Sequence, residues 1–237
     1  MNMKKFLYLL FAMTIAVGLN ACSPDDDPVN EPPTEIPENP DDPDQPDNPD
    51  PDPNPTPDPT PDPNPTTGKT LIVYYSFTNN VHTIVSDLRT QIEADAIRVE
   101  PAEKGLDYAA NNYAIGSAQI QAIRNNPGSA SSYPAIDPVE VNFGQYGTVI
   151  VAAPLWWSNM AAPLQTFLFN YGAEMAGKRI GLIVSSASSG ISGVESDAKR
   201  LIPDGNFLTP SLWIRSSQTS DCHSMIARWL KDTGYTE

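Results

Sequence analysis

From Gly68 onward the apolar positions of this chain follow two alternating periods. Lys69-Thr-Leu-Ile-Val-Tyr-Tyr75 is a short continuous apolar run rich in β-branched and aromatic residues, the pattern of a strand covered on both faces. Behind it Val81, Ile84, Val85, Leu88 and Ile92 recur at helical spacing with Asp87, Arg89, Gln91 and Glu93 between them, which predicts an amphipathic helix packed on a sheet. The rhythm continues with strands predicted at Ala96–Glu100, Thr148–Ala153, Arg179–Ser185 and Phe207–Ile214. Helices are predicted within Tyr108–Arg124 and at Pro163–Tyr171, Val194–Leu201 and Asp221–Lys231. Five strands alternating with five helices imply an α/β domain with a parallel sheet, right-handed crossovers and helices on both faces. Ligands in such sheets sit beyond the carboxyl ends of the strands.

The first 67 residues follow neither period. Lys4 and Lys5 precede an apolar run from Phe6 to Val17, and Leu19-Asn20-Ala21 leads to Cys22. Residues 1–21 thus read as a secretory signal peptide, too short for a spanning helix. An ordinary cleaved signal would leave Cys22 as the first mature residue by chance. Leu-Asn-Ala-Cys, however, is similar to the bacterial lipobox, and that resemblance implies lipidation of Cys22. The acyl chains would hold the protein at a bilayer, each buried methylene contributing about 0.8 kcal/mol.

Seventeen of the 25 prolines fall between Ser23 and Thr67, mixed with acids. Such a segment cannot bury a core and adopts extended conformations. Residues 22–67 are read as the lipidated cysteine and a disordered linker, and 68–237 as one folded domain. At about 3.1 Å per residue the 45-residue spacer reaches roughly 140 Å. The expected location is extracytoplasmic, lipid-anchored to a bacterial cell envelope at the outer membrane or the cell surface. Asp25–Asp27 resemble the acidic run that routes some lipoproteins to the surface, and they equally suit a solvated linker.

Charge divides in the same way. Residues 1–67 carry 14 acids and two lysines, and the remainder 15 acids against 12 basic residues. The chain's net charge of −15 therefore belongs mostly to the tail, and the nearly neutral domain has no basic track for nucleic acid.

Three loops at the carboxyl ends of strands carry the candidate chemistry. After the first strand, Ser76-Phe77-Thr78-Asn79-Asn80-Val81 leads straight into a helix, and free amides at a helix N-terminus with hydroxyls beside them suit a phosphate. The same residue types also serve as plain helix caps. After the third strand comes Pro154-Leu155-Trp156-Trp157-Ser158-Asn159. Two adjacent indoles in a loop favour a flat aromatic ligand, unless one packs in the core and the other covers a helix. After the fourth strand, Ser185-Ser-Ala-Ser-Ser-Gly190-Ile-Ser192-Gly193 offers small residues whose backbone can approach a ligand.

Together these segments resemble the flavodoxin family, in the branch carrying Pro-x-Trp-Trp, over essentially all of Gly68–Glu237. The resemblance implies a doubly wound five-stranded parallel sheet of order 2-1-3-4-5 with FMN as cofactor. By the same likeness Ser76, Phe77, Thr78, Asn79, Asn80 and the amide of Val81 would hold the phosphate. Pro154, Leu155, Trp156, Trp157, Ser158 and Asn159 would contact the isoalloxazine, with Ser188, Ser189 and Gly190 completing its rim. Against the family's usual Ser/Thr-x-Thr-Gly-Asn-Thr, Asn79 replaces glycine and Val81 replaces a hydroxyl donor. The latter change removes a charge-assisted bond worth about 1.5–3 kcal/mol. Ala187-Ser188 stands where paired glycines are common.

Other chemistry finds little support. His82 and His223 are the two histidines, and no metal cluster assembles around them. Ser192 lacks the spacing of a nucleophile elbow, and Gly68-Lys69-Thr70 lacks the upstream glycine of a P-loop. With Cys22 lipidated, Cys222 has no disulfide partner. The expectation is an FMN-dependent electron carrier or reductase with an unidentified redox partner, membrane-tethered through its lipid. The alternative is a flavodoxin-fold surface binding module without FMN.

Overall fold

The computed structural model describes residues 68–235; the signal peptide, Cys22 and the linker lie outside the described residues. In chain order the elements are β1 (Lys69–Tyr74), α1 (Asn80–Gln91), β2 (Asp95–Arg98), α2 (Ala110–Asn125), β3 (Tyr146–Trp156) and β4 (Asn159–Met160). They continue with α3 (Ala162–Tyr171), β5 (Arg179–Ser186), α4 (Ser192–Leu201), β6 (Asn206–Phe207), β7 (Leu212–Arg215) and α5 (Cys222–Asp232).

The sheet runs β2-β1-β3-β5, with β6 and β7 both pairing with β5. All of these pairings are parallel. Counting β6 and β7 as one interrupted edge strand gives the expected 2-1-3-4-5 order.

Side chains alternate across the sheet with period two, and each face has its own core. Leu71, Val73, Val149 and Val151 pack with Ile120 of α2, Leu164 and Phe167 of α3, and Val194 and Ala198 of α4. Ile72, Tyr74 and Ile150 pack with Val81, Ile84 and Leu88 of α1 and with Ile226 and Trp229 of α5. Because helices cover both faces, β1 is buried from Thr70 to Tyr74.

Three local departures from the predicted elements have physical causes. The last strand is not continuous over Phe207–Ile214. The Leu208 amide still donates to the Ile180 carbonyl at 2.8 Å, but Pro210 has no N–H to offer and its carbonyl instead accepts from Trp229 Nε1 at 2.8 Å. Between the pairs Ile180–Phe207 and Ile183–Leu212 the edge strand therefore spends two more residues than β5.

The third strand runs past Ala153 to Trp156 and folds back through β4, with Leu155 opposite Met160 and Trp156 opposite Asn159. The Pro-x-Trp-Trp segment is thus a hairpin, not an open loop. Its two central residues, Trp157 (φ 46°) and Ser158 (φ 66°), are both left-handed, as a two-residue turn matched to strand twist requires. Finally, α2 opens with Asn111, Asn112 and Tyr113 all left-handed, so regular helix begins after Tyr113.

Candidate functional site

The turn after β1 is set by Ser76, whose side chain is buried. Its Oγ accepts from the His82 amide at 3.1 Å, while its carbonyl accepts from Arg98 Nη2 at 3.1 Å. One of the N-terminal donors of α1 is therefore met by the chain's own hydroxyl. Among the described residues, the amides of Asn80 and Val81 have no such partner. Asn79, at the position where a glycine was noted as usual, takes φ 66° and caps α1 without a side-chain hydrogen bond. Asparagine tolerates this backbone better than most residues. The Val81 side chain faces inward and is buried against the α1–α5 core.

Beyond these amides lies a small compartment of about 120 Å³, lined by Ser76, Phe77, Thr78, Asn80 and Val81 of the first turn, Pro154–Trp156, Ser185–Ala187 and Ser216. It adjoins an aromatic slot of about 360 Å³, with which it shares the lining residues Phe77, Thr78, Leu155, Trp156 and Ala187. Tyr108, Tyr113, Gly116 and Trp157 complete the slot. The paired indoles and the turn that opens α1 therefore share one cavity.

Trp156 is the centre of the aromatic wall. Its ring meets Tyr75 edge-on at 5.6 Å, Phe77 edge-on at 6.1 Å and Trp157 at 6.4 Å with planes 77° apart. Such edge-to-face contacts suit aromatic quadrupoles. Both indoles lie on α2 at Gly116, where an added Cβ would sit 3.1 Å from Trp157 and 3.4 Å from Trp156. Trp157 and Tyr113 are the exposed large apolar side chains among the described residues, and both stand at the mouth of the slot.

The lining carries no charged side chain among the described residues. Burial pushes the Tyr75 and Tyr108 hydroxyls up from their ordinary value near 10, so both are neutral at physiological pH. The compartment by α1 is hydroxyl- and amide-rich, and the slot is apolar.

Several sequence-selected residues stand elsewhere. Asn159 turns away from the slot to bond Arg124 and Asp197. Ser158 is exposed at the hairpin tip. Ser188, Ser189 and Gly190 are also exposed and line neither compartment; Ala187 and the buried Ser185 and Ser186 reach the cavity instead. Ser186 is occupied, its Oγ accepting from Trp213 Nε1 and donating to the Ser189 carbonyl, both at 2.8 Å. Sequence reasoning missed Tyr108, Tyr113, Gly116 and Ser216. The Asn-Asn pair before Tyr113 was the available signal, since asparagine favours left-handed backbone.

A family model described as flavodoxin matches residues 69–233. The chain belongs to the flavodoxin family. Among solved structures, a flavoprotein of Bacteroides eggerthii is 22% identical, with 70% of this chain and 98% of that one covered at a TM-score of 0.56. One from Bacteroides uniformis is 21% identical, covering 68% and 98% at 0.53. A Lactobacillus acidophilus flavoprotein in complex with FMN is 20% identical, covering 66% and 99% at 0.52. At these identities the likeness establishes a shared fold. A comparison with curated proteins returned no match. The flavodoxin-family domain thus accounts for the whole sheet and its helices, and the cavity lies beyond the carboxyl ends of β1, β3 and β5, where such sheets take ligands. Among the described residues there is no group of side chains able to hold a metal ion.

Proposed function

We propose that this domain binds FMN with its ring in the aromatic slot and its phosphate at the compartment opened by α1, and serves as an electron carrier or flavin-dependent reductase. The observation that carries the reading is the adjacency of the two compartments, which share five lining residues. Free amides of Asn80 and Val81 lie at one end and the Trp156 cluster at the other. A dianion is favoured at a helix N-terminus by both the amides and the helix dipole, and a planar ring is favoured by the neutral aromatic wall. FMN supplies the redox chemistry when bound. The chain's own residues bind and orient it: Thr78 and Asn80 flank the phosphate end, while Trp156, Trp157 and Phe77 exclude water from the ring. No side chain is assigned as acid, base or nucleophile.

The same proposal places the protein outside the cytoplasm, lipidated at Cys22 and held off a bacterial membrane by the proline-rich linker. A chain that crosses a membrane unfolded takes up FMN afterwards, and its electrons come from a membrane or protein donor. Among the described residues no helix is long and apolar enough to cross a membrane.

A second reading, a binding module of the same fold without FMN, is favoured by one feature. The first turn meets the His82 amide internally through Ser76, and Val81, buried in the core, has no hydroxyl to offer a phosphate. Titration of the full chain with FMN separates the two. Quenched tryptophan emission and retained absorbance near about 370 and 450 nm after desalting are expected for the flavin reading. A colourless protein with unchanged emission would select the second.

A further inference from the structure

The hairpin that carries both indoles is held in a costly conformation. Left-handed backbone at Trp157 and Ser158 costs about 1–2 kcal/mol per non-glycine residue, and persists where the surroundings over-determine it. Two helices do so here. From α4, Asp197 Oδ2 accepts from Asn159 Nδ2 at 2.8 Å and from the Met160 amide at 3.0 Å, while its Oδ1 accepts from Arg200 Nη2 at 3.0 Å. The hairpin tip also presses on Gly193, where a Cβ would lie 1.8 Å from the Ser158 carbonyl oxygen. From α2, Arg124 Nε donates to Asn159 Oδ1 at 2.8 Å and its Nη2 donates to the Trp157 carbonyl.

The two fastenings differ in kind. Asp197 is buried, and removing it leaves the buried Met160 amide without its acceptor, a fold-level cost. Arg124 is exposed, so its hydrogen bonds compete with water and add little to global stability. Yet both of its bonds land on the turn, one at a left-handed residue and one at the residue pairing with Trp156. A guanidinium suits this task because its planar fork reaches two acceptors in fixed geometry.

We propose that Arg124 is a positioning residue of the slot, fastening the Trp157 turn to α2 so that Trp156 and Trp157 present fixed faces to the bound ring. The inference rests on the FMN reading for what occupies the slot, but the geometry it fixes belongs to the chain itself.

The test uses the full chain with Arg124→Gln and Arg124→Lys, measured three ways: near-ultraviolet circular dichroism without flavin, thermal midpoint, and FMN titration. The expected result for Arg124→Gln is an unchanged midpoint, an altered indole signal and FMN binding weaker by about tenfold. Arg124→Lys keeps the charge and loses the fork, and is expected to follow Arg124→Gln. Full rescue by lysine would make charge the cause and overturn the positioning role, as would an Arg124→Gln protein whose indole signal matches the parent. Should the parent chain itself bind no FMN, the flavin reading fails while the indole spectrum still decides for or against the fastening.

Discussion

The ring of Tyr108 lies 5.0 Å from that of Trp156, inclined at 46°, and this contact joins the segment before α2 to the hairpin after β3. Trp156 also rests on Tyr75 and Phe77, so truncating it removes the ring contacts to Phe77, Tyr108 and Trp157 in the slot at once. Trp156→Ala is expected to weaken FMN binding by about 1.5–3 kcal/mol, the scale of losing one large buried apolar contact. Tyr108→Phe, which keeps the ring, should leave affinity within about twofold, a difference of roughly 0.4 kcal/mol. Fluorescence titration of the two variants beside the parent checks both.

Val81→Thr tests the phosphate end. The residue is 2% exposed; its side chain packs in the core, and the residue lines the small compartment. Threonine has the same shape, but its hydroxyl carries a desolvation cost of about 1–3 kcal/mol when unpaired. In the flavin-free chain the variant should therefore melt lower. With FMN the hydroxyl gains a dianionic acceptor, a bond worth about 1.5–3 kcal/mol, so affinity should rise about tenfold or more. Affinity equal to the parent's would remove the phosphate from this compartment.

How much of this was legible in sequence depended on the range of the interaction. The continuous apolar run of β1 and the helical spacing of Val81, Ile84 and Leu88 encode local burial, and both elements stand where the pattern put them. The hairpin at Trp156 was not legible, because Trp-Ser lacks the Asn-Gly chemistry that announces a tight turn. What fixes it is Arg124 and Asp197, distant in sequence. Tyr108 was missed for the same reason, since it reaches the slot by tertiary packing; Tyr113 had only the Asn-Asn pair before it as a signal. In the third loop Ser186 ties the chain back at Ser189, which leaves Ser188–Gly190 in solvent and brings Ser185–Ala187 to the cavity.

Alkaline pH should destabilise the domain, and the sign follows from the tyrosines. Burial raises Tyr74, Tyr75 and Tyr108 above their ordinary value near 10. In the unfolded chain these hydroxyls lose their protons first, so from about pH 10 upward the unfolded state binds fewer protons and stability falls as pH rises. Below that value their contribution is fully present. Burial and the charge of Asp87 raise Cys222 likewise, which starts the decline near its ordinary value of 9.0. Urea unfolding midpoints measured from pH 7 to 11 should be flat in these groups' contribution up to about pH 8.5 and fall beyond it. Tyr75→Phe should shallow the decline, and an equally steep fall would exclude Tyr75 as a contributor.

The proposed lipidation of Cys22 makes a prediction of its own. If Cys22 carries the acyl chains, Cys22→Ser in an otherwise intact chain should move the protein from the membrane pellet to the soluble extracytoplasmic fraction, since the linker behind it has almost no apolar surface to hold it. Fractionation with a detergent phase separation reads this directly. Continued sedimentation of the serine variant with membranes would assign the attachment to something other than the cysteine.

Gly116→Ala separates the slot from the fold. Within a helix, alanine is favoured over glycine by about 0.8–1 kcal/mol, and Gly116 lies in the regular part of α2. Against that gain, the new methyl would stand 3.1 Å from Trp157 and 3.4 Å from Trp156, a few tenths of an ångström too close. Trp156 is backed by Tyr75, Phe77 and Tyr108, so the displacement falls on Trp157 at the mouth of the slot. The flavin-free chain should therefore keep its thermal stability to within about 1 kcal/mol. FMN binding should weaken by about tenfold as the slot narrows. Loss of stability with affinity retained would be the opposite pattern, and would mean that the indoles shift along α2 without entering the space assigned to the ring.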